Sequence, residues 1–91
     1  MDYIVTNQDN NTLIEVEKLT NDLSGDIVEQ LISIRNTKQM TQQDIADTTG
    51  MCRANVSRIE QKKYTPTLEV LMRYANALGY EIELSLKEKE Q

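Results

Sequence analysis

Two short segments that meet at a glycine constrain the fold of this chain more than any other feature of its sequence. The first begins after Thr41, which can cap a helix because an acid follows three residues later, and it ends at Gly50. Glycine adopts the left-handed backbone that closes a helix at little steric cost. The second segment, residues 53–60, has Val56 and Ile59 on one side and polar or basic residues on the other. The sequence therefore predicts two short helices joined by a tight turn.

The chain before Thr41 predicts two further helices. Thr12 and Glu15 have the spacing of a capping box, and apolar residues follow at helical intervals, which predicts a helix over residues 13–23. Ser24 can cap a second helix that runs to Thr37. The apolar residues of that second helix form one wide stripe: Ile27, Val28, Leu31, Ile32 and Ile34. A stripe of this width predicts a face buried in the core.

After the short pair, the pattern predicts one more helix and then a strand. Pro66 and Thr67 begin a helix over residues 68–78, and Gly79 ends it. Its inward residues are predicted to be Leu68, Leu71, Ala75 and Leu78. From residue 80 to residue 86 apolar and polar residues alternate, which is typical of a half-buried strand. The predicted fold is mainly α, with five helices and a C-terminal β-strand.

The composition excludes most catalytic sites. A chain of 91 residues is sufficient for one domain only. It contains a single cysteine, Cys52, and no histidine, so disulfides, Cys/His zinc sites and Ser/His or Cys/His catalytic pairs are excluded. We therefore expect no enzymatic activity, no cofactor and no metal. No apolar run approaches the roughly 20 residues of a membrane span, and the N-terminus does not resemble a signal peptide, so we expect a cytoplasmic protein.

The charge distribution is uneven. The net charge is −5, which by itself argues against binding to nucleic acid. Residues 1–30 hold seven acids against one base, whereas residues 31–79 hold seven bases against four acids. The last twelve residues have a net charge of −2. A basic centre between two acidic ends indicates that the central part can meet a polyanion even though the whole chain is acidic.

Several coincident motifs in residues 27–80 resemble the Cro/lambda-repressor type of helix-turn-helix, the xenobiotic-response-element family. The motifs are Thr41-Gln42-Gln43-Asp44-Ile45-Ala46, the turn Gly50, Val56-Ser57-Arg58-Ile59-Glu60, Pro66-Thr67-Leu68-Glu69 and Ala77-Leu78-Gly79. The resemblance implies a sequence-specific DNA-binding transcription regulator, with the second short helix in the major groove of double-stranded DNA. The domains are then an acidic extension with a predicted helix (1–24), the helix-turn-helix DNA-binding domain (25–79), and a C-terminal dimerisation strand with a charged tail (80–91).

The resemblance also implies roles for individual residues. The DNA-binding residues would be Thr41, Gln42, Arg53, Ala54, Asn55, Ser57, Arg58, Lys62 and Lys63. Arg53 and Arg58 can each make a bidentate hydrogen bond to a guanine. Without DNA, an exposed arginine of this kind is only a solvated charge. The pair Arg35 and Glu60 would be a structural ion pair. Lys62 departs from the family, which commonly has Gly or Asn at this place, so the loop over residues 61–65 is expected to differ in shape.

The flanking segments leave alternatives open. The predicted strand, with Tyr80, Ile82, Leu84 and Leu86 on one face, needs a partner. The partner is either the run of residues 3–5 or, as we prefer, the same strand in a homodimer that binds a palindromic operator. The strand and the acidic extension resemble HigA-type antitoxins, which neutralise a basic ribonuclease toxin and autorepress their operon. The alternative is a stand-alone phage-like or plasmid-like repressor. An interaction module that has lost DNA binding is disfavoured by the basic residues.

Overall fold

The computed structural model describes residues 10–88 of the chain. These residues form four helices: α1 (Asn10–Thr37), α2 (Gln42–Thr49), α3 (Arg53–Glu60) and α4 (Leu68–Ala77). The predicted mainly α class is confirmed for this range, but the predicted count of five helices is wrong. The run of residues 3–5, considered above as a strand partner, lies outside the described residues. No helix in the described part is long and apolar enough to cross a membrane.

Helix α1 replaces the two helices predicted from Thr12 and Ser24. It runs without interruption for 28 residues and begins at Asn10, ahead of both predicted capping residues. A serine is a capping signal only where the backbone leaves the helical conformation, and here the backbone hydrogen bonding continues through Ser24 and Gly25. A glycine inside a helix costs only about 1 kcal/mol relative to alanine. A long helix with buried residues in its second half tolerates that cost.

The ends of α2 and α4 confirm the predicted caps. The Thr41 hydroxyl accepts from the Asp44 amide and the Asp44 carboxylate accepts from the Thr41 amide, which is a complete capping box. Gly50 ends α2 with a φ of 81°, and Gly79 follows α4 with a φ of 84°. The Thr67 hydroxyl accepts from the amide of Val70. Each cap fixes where its helix starts or stops, and Gly50 makes the turn between α2 and α3.

One hydrophobic core joins the four helices. Its buried members are Val28, Leu31, Ile45, Ala46, Val56, Ile59, Leu71, Tyr74, Ala75 and Leu78. The prediction that Leu68 points inward is wrong, because this side chain is 46% exposed. The buried face of α4 is instead centred on Leu71, Tyr74 and Leu78, and Leu68 lies at its edge.

The segment after α4 has no regular secondary structure over the described residues 80–88, so the predicted C-terminal β-strand is wrong for the single chain. A strand requires a neighbouring strand to accept its backbone hydrogen bonds, and the described chain offers none. Ile82 packs against the core, whereas Leu84 is 63% exposed and Leu86 is fully exposed. The nitrogen of Lys38 lies 5.7 Å from the centre of the Tyr80 ring. The segment therefore lies on the core through Ile82 and presents the other apolar residues to solvent.

Candidate nucleic-acid interface

Helix α3 has one buried and one exposed side. Val56 and Ile59 are completely buried against the other helices. The side chains of Arg53, Ala54 and Arg58 are exposed on the remaining surface of the helix. Because α3 is short and anchored by two core residues, its exposed side is held rigidly. This is the geometry in which a helix can enter the major groove with side chains directed at base edges.

Tyr64 contacts two of the predicted DNA-binding residues. Its hydroxyl donates a hydrogen bond to the Asn55 side-chain oxygen at 2.9 Å. The guanidinium carbon of Arg58 lies 5.2 Å from the centre of the Tyr64 ring, within the range of a cation–π contact. The half-buried tyrosine therefore restricts both side chains before DNA is present. The sequence gives no pattern that links Tyr64 to these two residues, because the contact depends on the shape of the following loop.

The loop after α3 bends back onto α1. Lys62 has a φ of 59°, the left-handed conformation for which Gly and Asn are favoured, which explains why a lysine is unusual there. Its side chain passes beside Gly25 of α1, and its nitrogen pairs with Glu29 at 2.5 Å. The Thr65 hydroxyl donates to the Asn21 side-chain oxygen at 3.1 Å. These contacts attach the loop to α1 and turn the Lys62 charge toward that helix.

The remaining predicted contact residues fall into two groups. Lys63 is exposed at the end of α3. Ser57 accepts a hydrogen bond from the Gln61 amide at 2.8 Å, and Thr41 is engaged in the capping box of α2. The Gln42 amide donates to the Glu60 carboxylate at 3.0 Å. The structure therefore places Lys63 toward solvent and holds Thr41, Gln42 and Ser57 in contacts within the chain.

A buried network holds α3 against the rest of the domain. The Arg35 guanidinium donates to both oxygens of Glu60 at 2.9 Å, and also to the Met40 carbonyl at 2.8 Å. The Tyr74 hydroxyl donates a short hydrogen bond to the same Glu60 carboxylate. The Arg35 and Glu60 side chains are 12% and 8% exposed. Sequence reasoning found the ion pair but missed Tyr74, which connects α4 to the network.

Hydrogen bonding decides the charge state of this network. Burial acts to raise the pKa of Glu60, but hydrogen bonds from Arg35, Tyr74 and Gln42 outweigh it and hold that pKa below its ordinary value. Burial and the adjacent Glu60 carboxylate raise the pKa of the Tyr74 hydroxyl, which remains protonated and able to donate. The site is therefore an ion pair with a neutral hydrogen-bond donor, and it links α1, α2, α3 and α4.

Two short helices joined at Gly50, with the second one anchored by its core residues and basic on its exposed side, define a helix-turn-helix DNA-binding protein. The chain matches the helix-turn-helix family over residues 31–84. It belongs to this family, of lambda-repressor/Cro type, and is therefore a DNA-binding transcription regulator. The comparisons with curated proteins and with solved structures found no match. The family match excludes residues 10–30, the first three quarters of α1.

Proposed function

We propose that the protein is a repressor that binds a palindromic operator as a homodimer, with the exposed side of α3 in the major groove. The observation that carries the proposal is that Arg53 and Arg58 are exposed on α3, whose Val56 and Ile59 are buried. Two arginines that each make a bidentate hydrogen bond to a guanine distinguish the operator sequence from other sequences. Exposed basic residues after α3 supply contacts to the phosphate backbone, which position the protein without reading sequence.

The proposed contacts divide by chemistry. Arg53 and Arg58 read guanines, and Ala54 packs on a thymine methyl group. Asn55 and Ser57 make secondary or phosphate contacts. Thr41 and Gln42, at the positive end of the α2 dipole, bind a phosphate, and so do Lys62 and Lys63. For Lys62 this requires exchange of its partner Glu29 for a phosphate, which exposed ion pairs permit at small cost.

The repressor is proposed to be the antitoxin of a type II toxin-antitoxin pair that neutralises a basic ribonuclease toxin and autorepresses its operon. The acidic first part of the chain supports this proposal, because opposite charge favours association with a basic partner. The test is the neighbouring reading frame. Expression of its product alone should stop growth, and co-expression of this chain should restore growth. Neighbours that encode phage structural or integration proteins would instead favour a stand-alone repressor.

DNA binding is tested by a mobility-shift titration. The purified chain is titrated against the DNA upstream of its own reading frame and against a random duplex of the same length. A repressor of the proposed kind binds the first at least about 10³-fold more tightly than the second at physiological salt. Equal affinity for both duplexes would contradict sequence-specific binding to this region.

Arg58→Ala and Lys63→Ala are expected to weaken binding in different ways. Arg58→Ala should cost about 1–3 kcal/mol at the operator and relax the preference at one base position. Lys63→Ala should weaken binding to all sequences alike and reduce the slope of log K against log salt by about one. Titrations of both variants on operator and random DNA at several salt concentrations measure the difference. An equal loss on both duplexes for Arg58→Ala would refute its role in base readout.

Tyr64 is proposed to be a positioning residue for Asn55 and Arg58. Tyr64→Phe removes the hydrogen bond to Asn55 and keeps the ring under Arg58, so we expect a loss of about fivefold at the operator. Tyr64→Leu removes both contacts and should lose more affinity for the operator than Tyr64→Phe does. Binding to random DNA should change little in either variant. If both variants weaken random and operator binding equally, Tyr64 acts only through the backbone path of the loop.

A further inference from the structure

The first half of α1 carries an apolar face that the domain does not cover. We call Val16, Leu19 and Leu23 the apolar stripe. Their side chains are 53%, 58% and 62% exposed, whereas the buried residues of α1, Val28 and Leu31, lie in its second half. The three positions are spaced by three and four residues, which places them on one side of the helix. Single exposed apolar residues are ordinary, but a row of three on one helix face marks an interaction surface.

The apolar stripe continues toward the core. Ile27 follows Leu23 by four residues, so it lies on the same side of α1, and it is half-buried against the core. Ile27 and Leu84 line the same groove between α1 and the C-terminal segment. A partner that covers the stripe can therefore extend its contact onto the edge of the folded domain. The surface available is larger than the three side chains alone.

A row of acids runs along one edge of the stripe. We call Glu15, Asp22 and Asp26 the acidic row, and all three are exposed. They are separated by seven and four residues, which places them on one line of the helix surface. Leu19 follows Glu15 by four residues and precedes Asp22 by three, so the row and the stripe are direct neighbours. The surface thus combines an apolar centre with a carboxylate edge.

We propose that this surface docks a basic protein, whose apolar groove covers the stripe and whose lysines or arginines face the acidic row. The inference rests on the proposed antitoxin function and names the surface by which it would act. A second copy of the chain fits the surface less well, because it would bring a second acidic row to the same contact and like charges repel. An amphipathic helix in an apolar groove is a recurrent mode of protein recognition.

Leu23 and the loop over residues 61–65 lie on different sides of α1. Asn21, which accepts the hydrogen bond from Thr65, precedes Leu23 by two residues and therefore lies about 200° around the helix from it. Val16, at the other end of the stripe, lines a groove together with Thr65 of that loop. Substitution of Leu19 and Leu23, which lie away from this groove, should accordingly leave DNA binding unaltered.

The experiment compares two matched double variants of the full chain. Leu19→Ser/Leu23→Ser removes the stripe, and Leu68→Ser/Met72→Ser removes a similarly exposed apolar pair on α4. The probe is the purified basic protein encoded by the neighbouring reading frame, and its dissociation constant is measured by calorimetry. We expect at least about a 30-fold loss for the stripe variant, because buried apolar anchors dominate interfaces, and little change for the control. Circular dichroism establishes that both variants fold.

Each outcome has a distinct meaning. Wild-type affinity in the stripe variant would overturn the docking surface while the antitoxin function stands. Absence of binding by the wild-type chain would overturn the antitoxin function and the docking surface together. Conversion of the dimer to a monomer by the stripe substitutions would show that a second copy covers the stripe, which also overturns the proposal. A further variant, Glu15→Gln/Asp22→Asn/Asp26→Asn, removes the acidic row. It should weaken binding of the basic probe at low salt more than at high salt.

Discussion

Replacement of Glu60 by alanine is expected to lower the free energy of unfolding by roughly 3 kcal/mol or more. The substitution leaves the Arg35 guanidinium, only 12% exposed, without its carboxylate. It also removes the acceptor for the Tyr74 hydroxyl and the Gln42 amide. A buried charge without a partner costs several times more than the loss of an exposed pair. Urea denaturation followed by circular dichroism measures the change.

The chain offers a matched control on its surface. Glu69 and Arg73 form an ion pair at 2.8 Å on α4, but both side chains are more than half exposed. Glu69→Ala is therefore expected to cost at most about 1 kcal/mol. The double variant Arg35→Ala/Glu60→Ala should lose much less free energy of unfolding than the two single variants lose in sum, because neither charge is then left alone. Additive losses would show that the two residues are not energetically coupled.

The acid dependence of stability provides a second measurement on the same residue. The pKa of Glu60 is lower in the folded state than its ordinary value, because its hydrogen-bond donors outweigh the effect of burial. A lowered pKa means that the carboxylate stabilises the fold at neutral pH and that this contribution is lost as the pH falls through the lowered pKa. Glu60→Gln, which cannot ionise, should lack this part of the acid dependence.

The local capping signals predicted the short helices correctly and the long one incorrectly. Thr41, Gly50, Thr67 and Gly79 each mark a helix end in the structure. Ser24 has the same chemistry but lies inside α1. A cap forms only if the preceding backbone is not helical, and this depends on the cooperative extension of a helix through its neighbours. A single capping residue carries no information about that extension.

The candidate site was predictable to the extent that it depends on helix periodicity. Periodicity placed Val56 and Ile59 on the buried side of α3 and left Arg53 and Arg58 on its exposed surface, and the family resemblance paired Arg35 with Glu60. The contacts of Tyr64 and Tyr74 were not predictable. Tyr64 contacts Asn55 across nine residues through an irregular loop, and Tyr74 reaches Glu60 from another helix. Both contacts depend on the tertiary arrangement, which no local pattern encodes.

Leu84→Pro is expected to convert the protein to a monomer. In the proposed dimer the backbone edge of the segment over residues 80–86 pairs antiparallel with that of its two-fold mate. Tyr80, Ile82, Leu84 and Leu86 then share one face of the paired strands. The single chain supports this proposal, because the segment has no strand partner within the described residues and exposes Leu84 and Leu86. Proline removes a backbone donor from a pairing strand and disrupts it. Sedimentation at micromolar concentration measures the change.

Loss of the dimer should weaken binding to the operator far more than binding to random DNA. Two α3 helices held by a fixed interface read two half-sites whose centres are about 34 Å apart, one turn of the duplex. Linking two binding modules typically raises affinity by about 10²–10⁴-fold, and a monomer loses this gain. Helical content should remain, because the four helices and their fully buried residues all precede residue 80. The matched control is Lys87→Pro, just beyond the predicted strand, which should remain dimeric.

A Leu84→Pro variant that stays dimeric would place the interface elsewhere, and the apolar stripe on α1 would be the next surface to test. In that case Leu19→Ser/Leu23→Ser should produce the monomer, and docking of a basic protein on the stripe would fail at the same time. If Leu84→Pro alone produces the monomer, the stripe remains available to the basic partner in the dimer. Sedimentation of the two variants side by side therefore shows which of the two apolar surfaces, the C-terminal segment or the stripe on α1, is covered by the second copy of the chain.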